Sequence, residues 1–134
     1  MKPRDETRRE LVRQWLARAE EDFGVARHLL SSRGSYWTSA GFHAQQAAEK
    51  FLKAVLVHHQ IEFPKTHDLG ELLELLARAD AALAGSLRDA TALNPFGVDA
   101  RYPGELPQAT QHDAKTAVEL AARVRDAVRA ALGS

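Results

Sequence analysis

Apolar residues recur along most of the chain at the three- and four-residue spacing of an amphipathic helix rather than the alternation of a strand. Leu11, Trp15, Ala19, Phe23, Ala26 and Leu30 form one such stripe. Thr7-Arg8-Arg9-Glu10 just before it fits a capping box, which predicts a helix beginning at that threonine. Arg33-Gly34-Ser35 then offers a terminal cation, a C-cap glycine and an N-cap serine for the next element. A second helix over about residues 36–60 places Trp37, Ala40, Ala44, Ala47, Phe51, Ala54 and His58 on one line. Gly41, Ala48, Leu52 and Val55 widen that line into the broad apolar face of a central helix, and its small residues permit close helix approach.

Pro64 makes residues 61–65 a connector. Thr66 is placed to cap a third helix with a Leu69, Leu72, Leu73 and Leu76 stripe, and Asp80 to open a shorter fourth one carrying Leu83 and Leu87. Three prolines, two glycines and Asn94 mark residues 94–108 as a loop. A second capping box, Thr110-Gln111-His112-Asp113, opens a last helix that buries Ala114, Ala117, Ala121, Val124, Val128 and Ala131 and ends at Gly133. The expected fold is all-α, an up-and-down four-helix bundle with one additional short helix, in a single domain over residues 1–134.

Composition agrees with helix: 24 Ala and 17 Leu stand against 8 Val and one Ile. Without cysteine, thiol chemistry and thiolate metal sites are excluded. Eighteen basic and eighteen acidic residues give no basic field for non-specific nucleic-acid binding. The longest stretch free of charged residues, positions 34–48, is 15 residues and contains His43, Gln45 and Gln46, too short and polar to span a bilayer. The charged N-terminus lacks the apolar core of a secretory signal, so a cytoplasmic protein is expected.

The six histidines offer no pair four residues apart, and no phosphate loop or nucleophile elbow is present, so no metal and no cofactor is expected. The informative polar feature lies on the second helix. His43, Gln46, Lys50 and Lys53 fall at i, i+3, i+7 and i+10 and share one ridge, and Glu49 precedes Lys53 by one turn, positioned to pair with it. Two readings fit: a solvated helix face, or a cationic, hydrogen-bonding wall for phosphate or an acidic partner. Lys65-Thr66-His67-Asp68 sits at a helix start, where an anion can dock; equally, Thr66 caps, Asp68 complements the dipole and His67 packs against a neighbour. Arg101-Tyr102 in the long loop presents a guanidinium and a stacking ring suited to a nucleotide, or else anchors the loop to the bundle.

Residues 15–22, then Trp37-x5-His43-Ala44-Gln45-Gln46-Ala47-Ala48-Glu49-Lys50-x2-Lys53-Ala54, Lys65-Thr66-His67-Asp68-Leu69 and Ala100-Arg101-Tyr102-Pro103 resemble the HEPN domain family in order and spacing over about residues 11–128. The resemblance implies a helical bundle, commonly a homodimer, that is often encoded beside a minimal nucleotidyltransferase in a toxin-antitoxin-like pair and has a nucleotide-binding role. Taken with the stripe, helix-start and loop readings above, it places the expected nucleotide or partner contacts at His43, Gln46, Glu49, Lys50, Lys53, His67, Arg101 and Tyr102. Many members of the family are metal-independent ribonucleases that use an arginine and a histidine separated by four to six residues. No such pair exists here, so a non-catalytic binding protein is expected. The alternative is an atypical ribonuclease drawing on Arg101 with His67 or His112.

Overall fold

The computed structural model describes residues 3–97 and 108–133, and its order of elements is α1 (Pro3–Ser31), α2 (Trp37–His58), α3 (Leu69–Ala77), α4 (Ala81–Ser86), a 3-10 helix (Arg88–Gly97) and α5 (Gln111–Leu132). Among the described residues there is no strand, and no helix is long and apolar enough to cross a membrane. The all-α fold is as expected.

The centre of the molecule is α2, packed between α1 on one side and α5, α3 and the 3-10 helix on the others. Its small residues explain how so many neighbours reach it. Ala40, Ala44, Ala47 and Ala48 are fully buried, and Phe51, Leu52, Val55 and Leu56 extend the same sealed face. At Gly41 a Cβ would stand 2.2 Å from the Phe96 ring, so the absence of a side chain is what lets the 3-10 helix lie against α2. Leu69, Leu72 and Leu76 of α3 and Val124 and Val128 of α5 complete the core, each fully buried aliphatic side chain contributing about 1.5–3 kcal/mol.

A second tie joins the outer helices. Glu20 of α1 accepts from Arg125 Nε at 2.8 Å and from Arg129 Nε at 2.7 Å, both on α5. The guanidiniums of Arg27 and Arg125 stand over the Phe23 ring beside this tie.

Four local expectations change. The first helix starts at Pro3, and Asp5 and Glu6 take up its first turn, where carboxylates complement the dipole; Thr7 therefore lies within the helix instead of capping it. Tyr36, not Ser35, is the N-cap of α2, with no side-chain cap. Asp68, not Thr66, caps α3, its carboxylate accepting from Gly70 N at 2.9 Å. The first four residues of the expected loop, 94–97, belong to the 3-10 helix, which accommodates Pro95. By contrast, the Thr110 capping box forms as expected, with Asp113 returning the hydrogen bond, and Gly133 ends α5 in the left-handed conformation.

Candidate functional site

One edge of α2 is polar, and it lies between α1 and the segment that leads into α3. Two carboxylates organise it. Asp22, seven residues after Trp15 on α1, accepts from His43 Nδ1 at 2.9 Å through one oxygen and from the Lys50 ammonium through the other. Glu49 is buried, at 3 % exposure. Its Oε2 accepts from Lys53 Nζ at 2.9 Å, and its Oε1 accepts from His67 Nδ1 at 2.8 Å and from Gln45 Nε2 at 3.3 Å. Each carboxylate thus joins one lysine to one histidine.

The chemistry of the pairs fixes the imidazoles. An ionised carboxylate only accepts hydrogen bonds, so Nδ1 of both rings carries the proton and Nε2 is the atom left for a ligand. His43 is half-buried, whereas the His67 side chain is 60 % exposed, so the two nitrogens are presented at different depths on the strip. Between them Gln46 donates to Gln45 Oε1 at 2.7 Å, and Gln45, itself fully buried, donates to the His67 carbonyl at 3.1 Å. A Cβ at Gly97 would stand 2.7 Å from the Gln45 amide carbon, so the end of the 3-10 helix presses on this amide.

Lys53 is the least accessible cation of the strip. Its ammonium lies 5.4 Å from the Trp15 ring centre and 5.6 Å from that of Phe63, and the two rings meet edge to face at 6.2 Å. Such a cage stabilises a cation only because Glu49 neutralises it within the same pocket.

The expected wall is therefore corrected in kind: His43, Gln46, Lys50 and Lys53 do gather on one edge, but Lys50 and Lys53 are spent on Asp22 and Glu49 and are not free cations. Glu49 pairs with Lys53 as its spacing predicts. The start of α3 follows the capping alternative. Its Leu69 amide is taken by Asn94 Oδ1 at 2.9 Å and its Gly70 amide by Asp68, and the carboxylates of Asp68 and Glu71 both lie there. His67 instead turns back to α2. His112 is exposed in the first turn of α5, and no hydrogen bond joins it to the strip among the described residues. Arg101 and Tyr102 lie outside the described residues. Among those described, no three His, Asp or Glu side chains gather to hold a metal ion.

Asp22, Gln45 and Trp15 are site residues that sequence spacing does not assign. For Asp22 the signals are its place on the α1 ridge of Trp15, at i+7, and its position at the end of the 15–22 block that resembles the family, neither of which names its partners.

Comparison with known proteins agrees with this architecture. The HEPN domain profile matches residues 12–131. The crystal structure of TT1696 from Thermus thermophilus superposes with a TM-score of 0.72 at 28% identity, over 88% of this chain and 95% of that one. ST0689, described as an archaeal HEPN homologue, superposes with a TM-score of 0.68 at 27% identity, over 89% of this chain and 95% of its own. No curated protein matches the chain. With a match that runs through all five α-helices and the whole polar strip, the chain belongs to the HEPN domain family.

Proposed function

We propose that this HEPN-domain protein is a non-catalytic binding protein that holds a nucleotide on the α2 strip and works with a minimal nucleotidyltransferase partner, as a homodimer in a cytoplasmic toxin-antitoxin-like pair. The observation that carries the reading is the double carboxylate wiring. Asp22 and Glu49 hold two imidazoles with Nε2 turned away from their carboxylates, beside the half-buried Gln46 amide. Amide and imidazole groups are suited to the edges of a base and to ribose hydroxyls. Because the lysines are already neutralised, the strip selects by hydrogen bonding rather than by net charge.

The test is a calorimetric titration with adenosine and guanosine of the wild type and of a Gln46→Ala, His67→Ala double variant. Loss of two hydrogen bonds weakens the nucleoside by about tenfold or more, with the far-UV circular dichroism unchanged. Equal affinity in the two proteins removes the strip from the reading.

One feature favours a second reading. A buried carboxylate on Nδ1 of an exposed imidazole is also how a general base is oriented. In an atypical ribonuclease His67 would take the proton and Arg101 would stabilise the phosphate, with His112 as the other candidate. Incubation with RNA in chelator separates the two: cleavage that is lost in His67→Ala and in Arg101→Ala selects the enzyme, and no cleavage selects the binding protein.

A further inference from the structure

A phosphate needs a cation, and the strip lysines are committed elsewhere. Along α1, however, Trp15, Arg18 and Asp22 fall at i, i+3 and i+7 on one ridge. Trp15 reaches Lys53 and Phe63, and Asp22 reaches His43 and Lys50, so both neighbours of Arg18 on that ridge touch the strip. Arg18 itself is exposed, and among the described residues it has no ion pair, hydrogen bond or ring contact. The carboxylate one turn after it, Asp22, is engaged with His43 and Lys50 and makes no ion pair or hydrogen bond with it.

Arg18 also lines a cleft of about 120 Å³ with Leu11, Gln14 and Trp15. Leu11 is 42 % exposed, although it begins the apolar stripe of α1. The helix has 29 residues against 22 for α2, so at 1.5 Å per residue it is about 10 Å longer. An aromatic ring, an exposed leucine, a primary amide and an uncommitted guanidinium are thus collected on one ridge beside the strip. The cleft is smaller than the roughly 300 Å³ at which whole-ligand pockets begin; it takes one ring or one phosphate, and the remainder of a ligand lies over the open strip.

We propose that this ridge of α1 completes the nucleotide site: Arg18 binds the phosphate of a nucleoside monophosphate while Leu11 and Trp15 flank its base or sugar. The proposal rests on the nucleotide reading above and moves its phosphate from the lysines of α2 to an arginine of α1. Planar guanidinium offers the bidentate geometry that phosphate favours.

Calorimetric titration of wild type, Arg18→Ala and Arg18→Lys with AMP, adenosine and inorganic phosphate tests it. Arg18 makes no contact that the fold needs, so both variants fold. AMP binds the wild type more tightly than adenosine does. Arg18→Ala weakens AMP by about tenfold or more, leaves adenosine unchanged, and Arg18→Lys recovers part of the loss. AMP binding equally well to wild type and Arg18→Ala overturns the proposal and leaves the nucleotide reading standing, as does AMP binding no better than adenosine. Failure of both AMP and adenosine to bind the wild type overturns the nucleotide reading and this assignment with it. Inorganic phosphate binding that Arg18→Ala does not change also counts against the assignment.

Discussion

Glu20 and Glu49 are each one carboxylate serving two basic side chains, yet they do different work. Glu20 stands in the seam between α1 and α5, meets two arginines that are themselves partly solvated, and its removal leaves groups that water can reach. Glu49 is buried at the edge of the core, meets one caged ammonium and one imidazole, and its removal strands Lys53 at 8 % exposure between two rings. The first is a tie between helices. The second is a costly polar arrangement whose result is an imidazole of fixed tautomer, the kind of device that binding sites retain at the expense of stability.

The largest test of that difference is Glu49→Ala. It leaves an ammonium desolvated and unpaired, which costs about 3–5 kcal/mol, read as a lower midpoint in urea unfolding. Gly97→Ala comes next. Its new methyl drives into the buried Gln45 amide, overpacking of this kind costs about 1–3 kcal/mol, and the proposed nucleoside binding weakens with it because Gln45 holds both Gln46 and the His67 carbonyl. The smallest effect is Glu20→Gln, at about 1 kcal/mol or less once solvent screening is allowed for.

That last variant carries a pH signature. Burial alone raises the Glu20 pKa, but the hydrogen bonds and charges of Arg125 and Arg129 outweigh it and hold the carboxyl below its ordinary value near 4.5. A carboxylate with a depressed folded-state pKa contributes stability that is complete above the unfolded value and is lost as pH falls through the folded one. The gap between wild type and Glu20→Gln is therefore constant near neutrality and closes in acid below the ordinary glutamate pKa. A gap that widens in acid would contradict the assignment of Glu20 as an ionised tie.

What could be read in the sequence follows from how local each determinant is. The Thr110 box and Gly133 lie within a few residues of the groups they satisfy, and both form as their spacing predicts. The Glu49–Lys53 pair is one helical turn and was legible for the same reason. Asp22 was not, because its partners lie 21 and 28 residues away and nothing in the α2 ridge says which helix faces it. The same holds for the burial of Lys53. A helical wheel puts it beside half-exposed residues, and only Trp15 and Phe63, contributed by α1 and the connector, close it off. Thr7 shows the opposite failure: its capping pattern is present, but the acidic turn before it extends the helix past the signal. Asn94-Pro95 reads as a loop because local turn chemistry does not separate a loop from a 3-10 helix held down by Phe96 packing on Gly41.

The most direct measurement is the tautomeric state of His43 and His67, from long-range proton–nitrogen correlation NMR on labelled protein in mildly alkaline buffer. Protonated Nδ1 and bare Nε2 are expected in both rings, with His67 switching toward the mobile mixture of a free imidazole in a Glu49→Ala variant that remains folded. Protonated Nε2 with bare Nδ1 in the wild type would mean that the carboxylates do not orient these rings, and the strip would lose the feature on which the proposed binding rests.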